Sequence, residues 1–314
     1  MEDLIGLKEI LRTVAAKAAF ATIDHIGTGE KEEGDQAAVD AMRQAFDGLD
    51  LDAVVRVGEG EKDEAPMLYV GEKLGNGKGL MVDIAVDPVE GTRLMAEGKP
   101  NAITVIAATK RGRFWDSGSA YYMDKLVVGA QAKGAIDIKK SAKENLEAIA
   151  AKLEKPIGEV GVYVLDKPRH HELIEDIKSC GAKVYLHEEG DVIGSILALL
   201  PGTQIDVLMG IGGAPEAVIT AAAVKAMGGE MQGRLAPQKP EEEIALRNEG
   251  VDLARVLRLD DLVLSDWAVF AAAGVTSGPV LAGLAREGEV MQTECMTIGP
   301  ALGQVEKITV VSTI

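Results

Sequence analysis

The feature that most constrains the fold is a rhythm repeated three times between residues 160 and 227, a short apolar run rich in β-branched residues followed by a stretch with helical spacing. Strands read at 160–165, 182–186 and 205–209, and helices at 168–179, 191–200 and 215–227. Strand–helix alternation builds a sheet covered by helices, so this half of the chain is α/β. The earlier half has a different grammar. Apolar positions at helical spacing over 4–24 and 36–46 precede strand-like runs at 53–57, 80–86, 101–110 and 121–128, which is an α+β pattern. A polar helix over 141–154 ends at Lys155-Pro156, where the rhythm changes. The expected division is therefore a first, α+β domain over 1–155 and an α/β domain over 156–314, with strands near 289–295 and 307–312 free to join either. The glycines of Gly75-Asn76-Gly77-Lys78-Gly79 read as a tight turn before a strand.

Composition narrows the classes of function. A chain of 314 residues with 47% hydrophobic and 26% charged residues buries a substantial core. A formal net charge of -17, without a basic run interleaved with aromatics, makes a nucleic-acid backbone a poor candidate partner and leaves a small anion needing local cations or metal. The two cysteines, Cys180 and Cys295, lack the spacing of a zinc or redox pair. No apolar run reaches the roughly 18 residues of a membrane span, and the start lacks a signal-peptide pattern, so a cytoplasmic location is expected.

The chemistry-bearing residues lie at the ends of strands. Glu59, Glu61, Asp63 and Glu64 crowd Gly58-Glu59-Gly60-Glu61-Lys62-Asp63-Glu64-Ala65-Pro66, and an extended backbone there puts Glu59, Glu61 and Asp63 on one side. Such crowding is relieved by Mg²⁺ or Mn²⁺, which prefer carboxylate oxygen, although for an isolated cluster a solvated acidic loop is the better explanation. A second acidic segment, Asp87-Pro88-Val89-Glu90-Gly91-Thr92, leaves a strand apolar enough to be internal and is expected to turn there. In such a turn Asp87 and Glu90 can converge on a metal, while Thr92 offers a hydroxyl and an N–H to a phosphate oxygen; a turn of the same kind also forms without metal.

Gly210-Ile211-Gly212-Gly213-Ala214-Pro215-Glu216 lies between a strand and a helix, where N–H groups hold an anion or simply make a tight turn. Neither glycine segment completes a dinucleotide fingerprint. Lys167-Pro168-Arg169-His170-His171 opens a helix and places Lys167 and Arg169 to grip a phosphate, or merely on the surface. The two histidines are adjacent and point apart. Asp191 reads as a helix cap, with Glu189 and Asp191 also able to meet sugar hydroxyls.

Taken together, these segments resemble the class II fructose-1,6-bisphosphatases of the lithium-sensitive phosphatase superfamily, over nearly the whole chain. The most specific pieces run from Gly58 to Glu72, Asp83 to Arg93, Lys167 to His170 and Gly210 to Glu216. The resemblance implies a fold of alternating helix and sheet layers and metal ligands at Asp35, Glu59, Asp87, Glu90 and Glu216. It implies substrate contacts at Glu90, Gly91, Thr92, Tyr122, Lys167, Pro168, Arg169, Glu189, Gly190, Asp191 and Gly213, and catalytic or supporting roles for Lys31, Asp63 and Thr92. A homo-oligomer is expected on the same ground. Two departures bear on sugar selectivity: Glu189 stands where the family more often has Asp, and Ala273 replaces a threonine.

The expected activity is metal-assisted hydrolysis of the 1-phosphate of fructose-1,6-bisphosphate, with Glu59 and Glu216 closing on the point that Asp87 and Glu90 occupy. The rivals are hydrolysis of sedoheptulose-1,7-bisphosphate or an inositol phosphate by the same centre, and a non-catalytic acidic metal-binding protein.

Overall fold

The computed structural model describes residues 2–58 and 68–313. These divide into two compact units, one of residues 1–114 with 265–314 and the other of residues 115–264. The boundary expected at Lys155-Pro156 falls inside the second unit, because the strand read at 121–128 pairs with strands far downstream rather than with its predecessors.

Unit 1 opens with helices α1 (Glu2–Ala21) and α2 (Lys31–Gln44). Strands β1 (Leu51–Val57), β2 (Lys73–Leu74) and β3 (Leu80–Glu90) follow, then a short helix α3 (Thr92–Ala96) and β4 (Ile103–Lys110).

The chain next builds unit 2 from β5 (Tyr122–Val128), α4 (Ala142–Lys152), β6 (Gly161–Leu165), α5 (His171–Ser179) and β7 (Lys183–His187). It continues through α6 (Asp191–Leu199), β8 (Val207–Gly213), α7 (Ala214–Met227) and β9 (Glu230–Leu235), then α8 (Pro240–Asn248), β10 (Leu257–Arg258) and α9 (Leu259–Leu262). It returns to unit 1 for β11 (Val269–Gly274), β12 (Ala285–Glu287), β13 (Val290–Ile298) and β14 (Val305–Thr313).

The described strands of unit 1 form one mixed sheet in the order β12-β13-β11-β4-β3-β1-β2, with β14 paired to β13. The C-terminal strands therefore join the first half of the chain. Leu7, Leu11 and Val14 of α1 and Val39 and Met42 of α2 pack on Val55, Ile84, Ile106 and Ala271. The alanines of α1 at 15, 18 and 19 are wholly buried, so the helix lies close to the sheet. Ala273, a departure expected to bear on sugar selectivity, is wholly buried in this core instead.

Unit 2 holds a second mixed sheet, β10-β9-β5-β8-β6-β7, in which β6 runs parallel to β7 and β8 while β5 runs antiparallel to β8 and β9. Leu146 and Ile149 of α4 and Ile174 and Ile177 of α5 cover Leu126, Val162, Val164 and Val207. Every residue of α6 is buried, and the ring of Tyr163 on β6 lies where a Cβ on Gly194 of α6 would stand, 2.4 Å away. The alternation read between residues 160 and 227 is thus the sheet and its helical cover, as expected of an α/β half. Among the described residues no helix is long and apolar enough to cross a membrane.

Candidate active site

In unit 1 the acidic segment 87–90 does not turn. It continues β3 to Glu90, where the pairing with β4 slips between Asp87 and Glu90. Pro88 has no N–H for the ladder, and the Val89 N–H is taken by Asp87 Oδ1 at 3.0 Å, so the carboxylate repairs the break the proline makes. The reversal falls within the expected segment but only at Gly91, whose φ of 83° no larger residue adopts easily; a Cβ there would stand 3.0 Å from Leu94 Cδ1. Thr92 opens α3 and donates its hydroxyl to the Val89 carbonyl at 3.1 Å. Asp87 and Glu90 are 9% and 6% exposed. Asp83, in the same motif, is wholly buried and accepts the N–H of Arg113 at 2.8 Å, which gives it a structural task.

Asp35 and Lys31 reach this region through packing. Gly34 is buried because a Cβ on it would fall 2.4 Å from Met95 Cε, and so α2 lies against α3. Gly27 and Gly29 donate to the carbonyls of Met95 and Ala96 at 3.0 and 2.8 Å, which ties the loop before α2 to the end of α3. Burial pushes the Asp35 carboxyl up to about 6, against the pull of the Lys31 ammonium one helical turn earlier. His25 and Glu30 before α2 and Glu33 in its first turn bring ligand atoms within 4.8 Å of one another, a grouping without a motif in the sequence. Glu59 and Asp63, with Glu61 and Glu64, lie outside the described residues.

In unit 2 the glycine segment is strand rather than anion loop: β8 runs to Gly213 and α7 follows without a linker. Its glycines leave room for carboxylates. A Cβ on Gly212 would stand 1.8 Å from Asp191 Oδ2, and one on Gly213 would stand 1.5 Å from Glu216 Oε2. Among the described residues, Glu216 Oε2 is buried without a hydrogen-bond partner. Burial first, then repulsion from Asp191, holds its carboxyl above the usual range; the Lys125 ammonium and the residue's own N–H oppose this.

Asp191 is not a cap. Gly190 (φ 93°) takes the N-cap position of α6, and the Asp191 carboxylate is paired with Lys125. The Tyr163 hydroxyl donates to the Gly190 carbonyl at 2.7 Å and contacts the Glu189 carbonyl at 3.2 Å, fixing residues 189–191 from beneath. Arg169 stacks its guanidinium 5.3 Å from the Tyr122 ring and donates Nε and Nη2 to the Ile211 carbonyl at 3.1 and 2.9 Å. Lys167 makes no ion pair among the described residues, Pro168 is exposed, and both stand in the short turn before α5.

His170 is buried and His171 exposed, as their adjacency predicts. The Ile211 N–H donates to His170 Nε2 at 2.7 Å, so Nδ1 carries the proton and donates to the Leu165 carbonyl at 2.7 Å. Burial holds this imidazole below its ordinary value.

Sequence reasoning missed two supports. Lys125 looks like any polar residue of a half-buried strand, and Glu242 like one of three acids at the start of α8. Glu242 is buried and accepts the N–H groups of Tyr121 and Tyr122 at 2.8 and 3.1 Å, which sets the start of β5. Tyr122, Gly213 and Glu216 then line a cavity of about 500 Å³ together with Lys239. A separate cavity of about 230 Å³, between residues 129–132 and 198–206, contains none of the expected site residues.

The family model described as "Bacterial fructose-1,6-bisphosphatase, glpX-encoded" matches residues 6–312. "Fructose-1,6-bisphosphatase class 2" of Haemophilus influenzae is 45% identical over 308 residues, covering 94% of this chain and 92% of its own. "Fructose-1,6-bisphosphatase 1 class 2" of Escherichia coli K12 is 43% identical over 298 residues, covering 91% and 88%. Among solved structures, the extragenic suppressor protein suhB of Bartonella henselae aligns with a TM-score of 0.35 at 12% identity, over 62% of this chain and 74% of that one. The match to residues 6–312 takes in both units and every expected site residue, and the chain belongs to the bacterial fructose-1,6-bisphosphatase family.

Proposed function

We propose that the protein hydrolyses the 1-phosphate of fructose-1,6-bisphosphate, giving fructose 6-phosphate and inorganic phosphate as a step of gluconeogenesis, with Mg²⁺ or Mn²⁺, as a cytoplasmic homo-oligomer. A divalent-metal dependence goes with this phosphatase family, and the residues fit such an ion. The observation that carries the reading is Glu216, whose Oε2 is buried without a hydrogen-bond partner among the described residues and whose carboxyl is held above the usual range by that burial. Asp35 shows the same kind of strain, and the donor set Asp35, Glu59, Asp87, Glu90 and Glu216 offers only carboxylate oxygen, the preference of hard cations. A cation held there would offset the charge of the phosphoryl oxygens and lower the pKa of a nearby water.

The remaining roles fall to the chain itself. Thr92, at the first turn of α3, orients the attacking water, with Asp63 taking up its proton and Lys31 supporting the developing charge. Water oxygen forms the new bond to phosphorus as the bond to the sugar oxygen breaks, and that oxygen leaves with a proton. Gly91 brings its backbone to the phosphate. Lys167, Pro168 and Arg169 hold the distant phosphate, Tyr122 and Gly213 border the sugar, and Glu189, Gly190 and Asp191 meet its hydroxyls. Binding energy from the distant phosphate then positions the reacting one.

Phosphate release from fructose-1,6-bisphosphate by Asp87→Ala and Thr92→Ala tests these roles. Each is expected to lose about 10³-fold or more in kcat relative to the unaltered protein, the scale on which removing an essential catalytic group registers. Unchanged activity in either variant favours the non-catalytic rival.

A further inference from the structure

We propose that Lys125 is a positioning residue for the sugar: its buried ammonium holds Asp191 and the Gly213 carbonyl, and so aims the sugar-contacting end of α6. The inference rests on the reading above, in which Asp191 meets a sugar hydroxyl.

Lys125 lies within β5 and is only 1% exposed. An ammonium removed from water is costly unless it is paired and hydrogen-bonded, and here both conditions are met. Its Nζ donates to Asp191 Oδ2 and, at 2.9 Å, to the Gly213 carbonyl. Stability alone is a poor reason for such a pair, since apolar residues of similar volume usually serve as well or better. The surrounding backbone is nevertheless shaped around it. A Cβ on Gly212 would stand 1.8 Å from Asp191 Oδ2 and 2.9 Å from Lys125 Nζ, so this strand position is left empty for the ion pair.

The consequence for Asp191 is specific. As the first residue of α6, a free aspartate would turn its carboxylate to the N–H groups of its own helix, the usual fate of an acid at that place. Gly190, at the N-cap of α6, has no side chain to offer, and Lys125 binds one oxygen of Asp191. The same ammonium fixes the carbonyl of Gly213, three residues before Glu216, so the sugar-contacting residue and the turn bearing a proposed metal ligand share one anchor. Lys125 acts through Asp191 and Gly213 rather than by touching the reacting atoms.

The test is isothermal titration of the full chain, in Mg²⁺, with fructose 6-phosphate and separately with inorganic phosphate. The variants are Lys125→Met, Asp191→Asn and the double variant. Lys125→Met is expected to weaken fructose 6-phosphate binding about tenfold or more, the worth of one hydrogen bond to a charged group, and to leave phosphate binding within about threefold. Asp191→Asn is expected to lose as much, and the double variant no more than about threefold beyond Asp191→Asn, since the two residues act as one unit.

A purely structural lysine would change the melting temperature and leave fructose 6-phosphate affinity intact in the folded variant; that result overturns the proposal, as do losses that multiply in the double variant. Should Lys125→Met fail to fold, the other two variants decide: a loss in Asp191→Asn shared by the double variant supports the proposal, and wild-type affinity in Asp191→Asn overturns it. Unaltered protein that binds no fructose 6-phosphate defeats the reading of the site and the inference with it, whereas binding retained in Lys125→Met defeats the inference alone.

Discussion

Asp35 and His170 respond to pH in opposite senses. Burial raises the Asp35 carboxyl from its ordinary value to about 6, so the stabilisation it contributes is present below the ordinary carboxylate range and is lost as pH rises through about 6. Metal-free protein at pH 8 therefore carries a largely buried charge costing on the order of 3 kcal/mol. Asp35→Asn should raise the melting temperature in EDTA at pH 8 by a few degrees while lowering metal-dependent phosphate release about 100-fold or more. A lowered melting temperature would show that the charge is already compensated. His170 is held below its ordinary value, so its contribution is present above the unfolded imidazole value and is lost as pH falls through the lowered one. Protonating Nε2 would cost the bond from the Ile211 N–H. His170→Ala should cost about 1–3 kcal/mol in denaturant titrations at pH 7.5, with the gap to wild type narrowing near pH 5. A gap independent of pH would point to lost packing alone.

At the scale of elements, the strands and helices of residues 160–227 were legible because their period matches their burial. So was the internal character of β3, whose residues from Val82 onward are all buried. Its end was not legible, since Pro88 suggests a turn and only pairing with β4 shows the strand continuing past it. β11 also escaped notice: Val-Phe-Ala-Ala-Ala-Gly carries the alanines of a helix, and the strand exists because β4 and β13 flank it. Asp87, Glu90 and Glu216 were visible at strand ends; Asp35 came only from resemblance, and Lys125 only from a partner 66 positions away. The paired glycines of β8 were read as a tight turn or as anion-binding N–H groups, whereas the missing side chains are what matter. Gly213→Ala should thus displace the Glu216 carboxylate and reduce kcat/KM about 100-fold, with far-UV circular dichroism unchanged; wild-type kcat/KM would mean that Glu216 finds another seat.

At the scale of the molecule, the chain leaves unit 1 after Phe114 and returns at Ser265, so neither unit is bounded by the change of grammar at Lys155-Pro156. That change marks only where consecutive strands give way to alternation, while the earlier strand β5 is already central to the second sheet. The family match over residues 6–312 spans both units. The central claim is tested most directly by phosphate release from the full chain with Mg²⁺ or Mn²⁺, offered fructose-1,6-bisphosphate, sedoheptulose-1,7-bisphosphate and an inositol phosphate. The predicted result is the highest kcat/KM for fructose-1,6-bisphosphate and no release in EDTA; a fructose bisphosphate outside the best substrates, or release indifferent to EDTA, would contradict it.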